Sequence, residues 1–381
     1  MTAKIINFLR ETQPATPCLV VDLDVVRERY EALTEALPLA KVHYAVKANP
    51  AREVIETLRD QGANFDVASP AEVDLCLGLG VDPSRISYGN TIKKTRDISH
   101  AYDQGVRVFA FDSEAELEKI AARAPGASVI CRILVSNIGA DWPLSRKFGC
   151  ASEMAFDLLI KSRELGLVPL GVAFHVGSQQ KNPEAWNSAV EASSELFSAL
   201  EAEGVTLTTI NIGGGLPARY VEDIESIGTY ANAVMAAMTE HFGNYLPNMI
   251  IEPGRFLVGD AGIIHAEVVL VSKKAYEDDT RWVYLDIGRF NGLAETEGEA
   301  IRYPIRSDMS SGSDDLAPKG PVILAGPSCD SVDILYEKAA YELPLALTAG
   351  DTVQIHATGA YTTTYSSVGF NGFAPLQSHY I

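Results

Sequence analysis

The stretch Val42-His43-Tyr44-Ala45-Val46-Lys47-Ala48-Asn49-Pro50 reads as a buried β-strand that carries one amine at its C-terminal end. Four apolar or aromatic residues precede the lysine, and Asn49-Pro50 stops the strand. Burial penalises the charged form of an amine and lowers its pKa. A lysine depressed in this way is nucleophilic, as a Schiff base with a carbonyl compound requires. Alone, the commoner reading is a lysine that snorkels to solvent from a strand end. The rest of the chain decides between the two.

Outward from this strand, short apolar runs alternate with longer amphipathic ones from about residue 41 to about residue 252. The candidate strands are 42–46, 64–67, 86–88, 106–110, 129–135, 170–175, 208–212 and 249–252. Between them lie helical patterns. Trp186, Val190, Phe197 and Leu200 share one face of 184–200, and 151–165 is similarly rich in apolar positions. Eight strands with helical connections over roughly 210 residues fit a (β/α)8 barrel, whose usual size is about 250. An open doubly wound sheet is the competing α/β arrangement. The barrel is preferred because polar residues cluster just after nearly every strand, which is the face where barrel enzymes build their sites.

After about residue 256 the texture changes to β-rich runs punctuated by Gly and Pro, at 261–272, 281–287, 321–324 and 352–356. The run Thr16-Pro17-Cys18-Leu19-Val20-Val21-Asp22 is also strand-like. The expected organisation is a barrel over 24–256 and a second, mostly β domain from 1–23 and 257–381. The polar segment 307–319 is expected to be a mobile surface loop.

The bulk properties exclude several classes. With 381 residues and 47% apolar content the chain can bury large cores. Its net charge of -19, with no basic tract, argues against nucleic acid and anionic membranes. Residues 1–10 lack a basic start followed by a long apolar run, so no secretory signal is expected. No run approaches the roughly 18 apolar residues of a membrane span. Five scattered cysteines without a C-x-x-C pair suggest neither a disulfide framework nor a zinc cluster, so a reducing cytoplasm is the default.

Several groups suited to chemistry follow the strands. Gly213-Gly214-Gly215 would let backbone N–H groups approach an anion at the rim of the seventh strand, although tight turns use such triplets too. Glu252-Pro253-Gly254-Arg255 places a carboxylate and a guanidinium after the eighth strand. They suit a proton-bearing ring nitrogen and a phosphate, or simply a surface ion pair. His175-Val176-Gly177-Ser178 follows the sixth strand; His175 is either a satisfied core residue or a plate against a flat ligand, with Ser178 bonding an anion. Gly326-Pro327-Ser328-Cys329-Asp330-Ser331 pairs a thiol with a carboxylate. Cys329 as a small buried side chain is the ordinary alternative. Gly359-Ala360-Tyr361 and Gly369-Phe370-Asn371-Gly372-Phe373 close the chain with aromatic residues among glycines.

Taken in order, Tyr44-Ala45-Val46-Lys47-Ala48-Asn49, Phe174-His175-Val176-Gly177-Ser178, the Gly213 triplet, Glu252-Pro253-Gly254-Arg255, Gly326-Pro327-Ser328-Cys329-Asp330-Ser331 and Gly359-Ala360-Tyr361 resemble the fold-type III pyridoxal-phosphate decarboxylases. This alanine-racemase-like group includes the ornithine decarboxylases, and the resemblance runs over essentially the whole chain. It implies that Lys47 joins pyridoxal 5'-phosphate covalently and that Glu252 pairs with the pyridine nitrogen. It implies that Gly213, Gly214, Gly215, Arg255, Ser178 and Tyr361 hold the phosphate, with His175 against one ring face. Asp66 and Arg132 match further cofactor positions. Cys329, the expected proton donor, and Asp330 reach the other subunit's site, so a homodimer with shared sites follows; Phe370 is assigned to the substrate.

The resemblance also bears on the reaction. A glutamate at position 252 favours decarboxylation, whereas alanine racemases place an arginine there. Asp330 suits the distal ammonium of ornithine or lysine, so L-ornithine decarboxylation to putrescine is the expected activity, with L-lysine as a second substrate. Diaminopimelate is the runner-up, because its distal carboxylate would be repelled by Asp330. A racemase on the same barrel and a non-enzymatic protein like the antizyme inhibitors are the rivals. Eukaryotic ornithine decarboxylases have a second substrate aspartate immediately before a glycine. Here Ile287 precedes Gly288, and Asp286 falls one residue early, so it should face the other side of a strand. The segment Leu285-Asp286-Ile287-Gly288-Arg289-Phe290 is similar instead to bacterial ornithine and ornithine/lysine enzymes.

Overall fold

Eight parallel strands close on themselves in the computed structural model of the chain: Ala40–Ala45, Asn64–Val67, Ile86–Tyr88, Val108–Phe111, Ser128–Arg132, Val168–Ala173, Thr209–Asn211 and Asn248–Ile251. Closure joins the last strand to the first, with Met249 opposite Ala40 and Ile251 opposite Val42. The structure describes residues 1–142, 147–308 and 317–381. The strands have the expected number and order, with ends displaced by up to three residues. A barrel strand is covered by side chains within and helices outside, so its apolar residues run consecutively rather than alternating. Residues Val42 to Ala45 are accordingly all buried. Ile130, Ala173 and Ile250 fill the interior, flanked by Val108 and Leu170.

The helices between strands begin where their sequences supply caps. Ser69 Oγ accepts the Glu72 N–H and Pro70 occupies the first turn of Pro70–Gly78. Ser226 Oγ accepts the Thr229 N–H at the start of Ile227–Phe242. In Asn187–Ala202, Val190, Leu196 and Leu200 are buried, and Phe197 meets Phe242 edge-on with ring centres 5.2 Å apart.

The chain divides into two compact units, one of residues 27–217 and 224–256, the other of 1–26, 218–223 and 257–381. The second holds an eight-stranded, mostly antiparallel sheet, in which Ile305–Asp308, Thr352–His356, Gly262–Ser272, Arg281–Leu285, Lys319–Ala325 and Ile334–Pro344 are successive neighbours. Cys18–Val21 pairs antiparallel with Gly262–Ser272 and parallel with Gln377–Tyr380. Of the polar segment 307–319, residues 309–316 lie outside the described residues, while Ser307 and Lys319 belong to strands. Among the described residues no helix is long and apolar enough to cross a membrane.

Candidate active site

The first barrel strand stops at Ala45, and Val46–Ala48 forms a 3-10 turn that carries Lys47. The turn is tied down on both sides. The Tyr44 hydroxyl donates to the Asn49 carbonyl (2.9 Å), and the Ala45 N–H donates to the Pro253 carbonyl (3.1 Å). Val46 and Ala48 are buried, but Lys47 is exposed. This corrects the expectation of a buried amine on a strand: the turn directs the side chain off the barrel wall, and Lys47 lines an open cavity instead.

The cavity measures about 230 Å³, and its lining includes Lys47, Asp66, Arg132, His175, Asn211 and Glu252. Asp66, next to last in the second strand, is 6% exposed, and its Oδ1 is buried with no hydrogen-bond partner among the described residues. Burial, and next the Glu252 carboxylate, hold its pKa well above the usual range; Lys47 and Arg132 oppose this. Gly89 is required beside it, because a Cβ there would overlap Asp66 Oδ1. His175 is held well below its ordinary pKa by burial, then by Arg132 and Lys47. Its Nδ1 accepts the Gly177 N–H (3.0 Å), so the neutral ring carries its proton on Nε2. Burial also lowers the Arg132 pKa, against the pull of Glu252, Asp112 and Asp66. Its guanidinium lies 5.3 Å from the centre of the Phe148 ring.

Glu252 is oriented by Asn211, a residue that the sequence reading did not single out. The Asn211 amide donates to Glu252 Oε1, and its Oδ1 accepts the Gly213 N–H at 2.9 Å. The Glu252 N–H returns a bond to the Gly213 carbonyl (2.8 Å). Position 211 ends a strand and precedes three glycines, which was the available signal.

The glycine triplet continues that ring of contacts. Gly213 and Gly215 have φ of 68° and 111°. A Cβ on Gly213 would overlap the Phe174 carbonyl oxygen, and one on Gly214 would lie 2.6 Å from the Glu252 carbonyl oxygen. Arg255, only 3% exposed, donates through Nε and a terminal nitrogen to Ser178 Oγ at 3.3 and 3.2 Å. The barrel thus carries Lys47, Asp66, Arg132, His175, Ser178, Gly213, Gly214, Gly215, Glu252 and Arg255 near the C-terminal ends of its strands or in the segments that follow them.

Cys329, Asp330, Tyr361 and Phe370 belong to the β-rich unit. Cys329 is exposed, which corrects the alternative of a small buried side chain. Its N–H donates to Asn371 Oδ1 (3.1 Å), next to Phe370, whose ring meets Phe290 at 4.7 Å. Asp333 organises this loop from within. At 3% exposure, it accepts the Ser328 N–H (3.0 Å) and the Arg289 N–H (2.8 Å). Asp330 Oδ1 accepts the Val332 N–H (3.0 Å). Tyr361 is half-buried with a φ of 57°. Asp286 turns toward the neighbouring strand, where its Oδ1 accepts the Glu267 N–H (2.9 Å), while Ile287 is fully buried.

The sequence profile described as "Pyridoxal-dependent decarboxylase, pyridoxal binding domain" matches residues 23–259. The chain belongs to the pyridoxal-dependent decarboxylases. Within that family, the lysine/ornithine decarboxylase of Selenomonas ruminantium is 36% identical over 376 residues, which cover 98% of this chain and 91% of that protein. The lysine/ornithine decarboxylase of Vibrio vulnificus, solved with putrescine, has a TM-score of 0.87 at 30% identity, covering 100% of this chain and 99% of that one. The arginine decarboxylase of Paramecium bursaria Chlorella virus, solved with agmatine, has a TM-score of 0.90 at 30% identity over 100% of both chains. This decarboxylase's residues fit pyridoxal phosphate. The orphaned buried carboxylate of Asp66 and a glycine cradle closed to any Cβ are features that a packed apolar core would not retain.

Proposed function

We propose that this decarboxylase removes the α-carboxyl group of a basic L-amino acid, converting L-ornithine to putrescine and accepting L-lysine as a second substrate. The observation that carries this reading is the convergence of Lys47, Asp66, His175 and Glu252 on one cavity. Lys47 would hold the cofactor covalently, with Gly213, Gly214, Gly215, Ser178, Arg255 and Tyr361 on its phosphate, and His175, Asp66 and Arg132 around its ring. When bound, the cofactor supplies an electron sink for the pair left at Cα as CO2 departs.

The residues set the conditions for that chemistry. Glu252, fixed by Asn211, would hold the proton on the ring nitrogen. A carboxylate about 4 Å from a unit charge at an effective dielectric near 20 contributes roughly 4 kcal/mol, less the desolvation of Glu252. His175, kept neutral by burial, would serve as a plate for the ring without adding a competing positive charge. The Cys329 thiol returns a proton to Cα. Asp330 attracts the distal ammonium, as it would the guanidinium of arginine, and Phe370 packs on the substrate's carbon chain.

The chain is read as a cytoplasmic homodimer whose Cys329 loop completes the opposite subunit's site. The support is an exposed thiol in a loop ordered by Asp333, amid exposed Val332, Val368, Phe370 and Phe373. Incubating the cofactor-loaded protein with ornithine, lysine, arginine and diaminopimelate, and identifying each amine formed, tests the substrate. Ornithine should be consumed fastest, and turnover of diaminopimelate alone would overturn the reading. Mixed dimers of Lys47→Ala and Cys329→Ala subunits test the sharing. Partial recovery of activity is expected, and none in verified heterodimers would refute it.

A further inference from the structure

Two thiols outside the proposed machinery face each other beside the cavity wall. Cys131, fully buried on the fifth barrel strand, and Cys150, 5% exposed, have their sulfurs 3.7 Å apart. Cys150 lies on the segment that rejoins the barrel by a parallel bridge to Ile133. Its N–H donates to the Arg132 carbonyl (3.0 Å), and its carbonyl accepts the Leu134 N–H (2.8 Å). The same segment carries Phe148, which lines the cavity under the Arg132 guanidinium. Asp112 holds it by accepting the Gly149 N–H at 2.8 Å.

We propose that Cys131 and Cys150 are a site of reversible disulfide formation, and that the cross-link pins the Phe148 wall and slows release of the cofactor. The part concerning release rests on the reading that this cavity holds pyridoxal phosphate; the cross-link itself does not. The sulfurs need to close from 3.7 Å to about 2.05 Å. The pair is polarised: the hydrogen bond between the thiols raises the Cys131 pKa and lowers that of Cys150, while burial and Asp112 work against ionisation of either. Cys150, 5% exposed where Cys131 is fully buried, is the sulfur an oxidant meets first and is the attacking one.

The oxidant is hydrogen peroxide. The Cys150 thiolate attacks one peroxide oxygen, an S–O bond forms and the O–O bond breaks, and the departing hydroxide takes up a proton to become water. The Cys131 sulfur then attacks the Cys150 sulfur, losing its proton as the S–O bond breaks and the second water leaves. Each thiol gives up one electron, and the peroxide accepts both.

The test uses the cofactor-loaded full chain carrying Cys329→Ser, so that the exposed thiol does not react. Mild peroxide should yield a peptide cross-linked between Cys131 and Cys150, reversed by dithiothreitol. Cofactor release, followed by its absorption after dilution, should be about tenfold slower in the oxidised protein, equivalent to roughly 1.4 kcal/mol of added cost for opening the wall. Both Cys131→Ala and Cys150→Ala should abolish the cross-link and the difference, so a packing defect at one position does not decide the result. Over-oxidation of Cys150 without a cross-link, or a cross-link with unchanged release, overturns the proposal. A reduced protein that never acquires cofactor absorption, yet still cross-links, would instead defeat the cofactor reading.

Discussion

The side chain of Asn211 reaches from the Gly213 N–H to the Glu252 carboxylate, so one amide sets both the glycine cradle and the acid opposite it. Neither group can shift without breaking a bond to the other, since the Glu252 N–H also donates to the Gly213 carbonyl. This ring links the seventh and eighth strands at their C-terminal ends.

Asn211→Ala should therefore weaken cofactor binding without unfolding the barrel. A hydrogen bond to a charged group is worth about 1.5–3 kcal/mol, or roughly 10- to 150-fold in affinity. Titration of the apoprotein with pyridoxal phosphate, followed by absorption, measures the loss. An unchanged affinity with native circular dichroism would show that Glu252 needs no brace.

Gly89→Ala tests the orphaned carboxylate. The added methyl would overlap Asp66 Oδ1, which belongs to a side chain only 6% exposed. Asp66 must leave its place in the cavity, and cofactor affinity should fall at least as far as in Asp66→Asn. Equal affinity in Gly89→Ala and the parent protein would show that Asp66 has no part in holding the cofactor.

Lys93 and Glu116 form an ion pair at 3.0 Å with side chains 0% and 3% exposed. The ammonium also donates to the carbonyls of Asn90 and Ala110, both in the cavity wall, at 2.7 Å each. Lys93→Met leaves the buried Glu116 carboxylate with the partly exposed Lys119 ammonium as its remaining ion-pair partner among the described residues, and should cost up to about 3 kcal/mol in urea unfolding, the low end for breaking a buried pair. Adding Glu116→Gln should restore a large part of that loss. A single variant as stable as the parent would mean that the buried charge is compensated elsewhere.

His43 lies inside the barrel, its Nδ1 3.0 Å from Ser87 Oγ. Burial, and then Lys41, push its pKa from 6.5 down to about 4. Between these values the unfolded chain binds a proton that the folded chain does not. Stability therefore falls as pH drops from about 6.5 to about 4 and is unaffected by this group above that window. The loss should approach about 3 kcal/mol at the acid end, and His43→Asn should remove that share of the slope. Parallel stability profiles for the two proteins across this range would rule out the assignment.

Much of the architecture was legible in the residues because it rests on local patterns. Parallel strands covered on both faces need largely apolar runs, so 42–46 and 129–135 marked the strands that occur as Ala40–Ala45 and Ser128–Arg132. The Gly213 triplet was legible too, because only glycine tolerates its φ values and its close approach to the Phe174 carbonyl. The exposure of Lys47 was not. An apolar run with a terminal amine looks the same whether the last residues continue the strand or turn off it, and the turn here depends on Tyr44 meeting Asn49 and Ala45 meeting Pro253.

The order of strands, the change to a β-rich unit after the barrel and the residue types suited to a phosphate and a ring nitrogen were thus written in the chain itself, since each follows from neighbours a few positions apart. Tertiary structure alone determined that Asn211 grips Glu252, that Asp333 joins the Arg289 N–H to the Cys329 loop and that Cys131 meets Cys150. Each of these joins groups on different strands or loops, and closing the barrel or folding the sheet is what brings such groups within bonding distance.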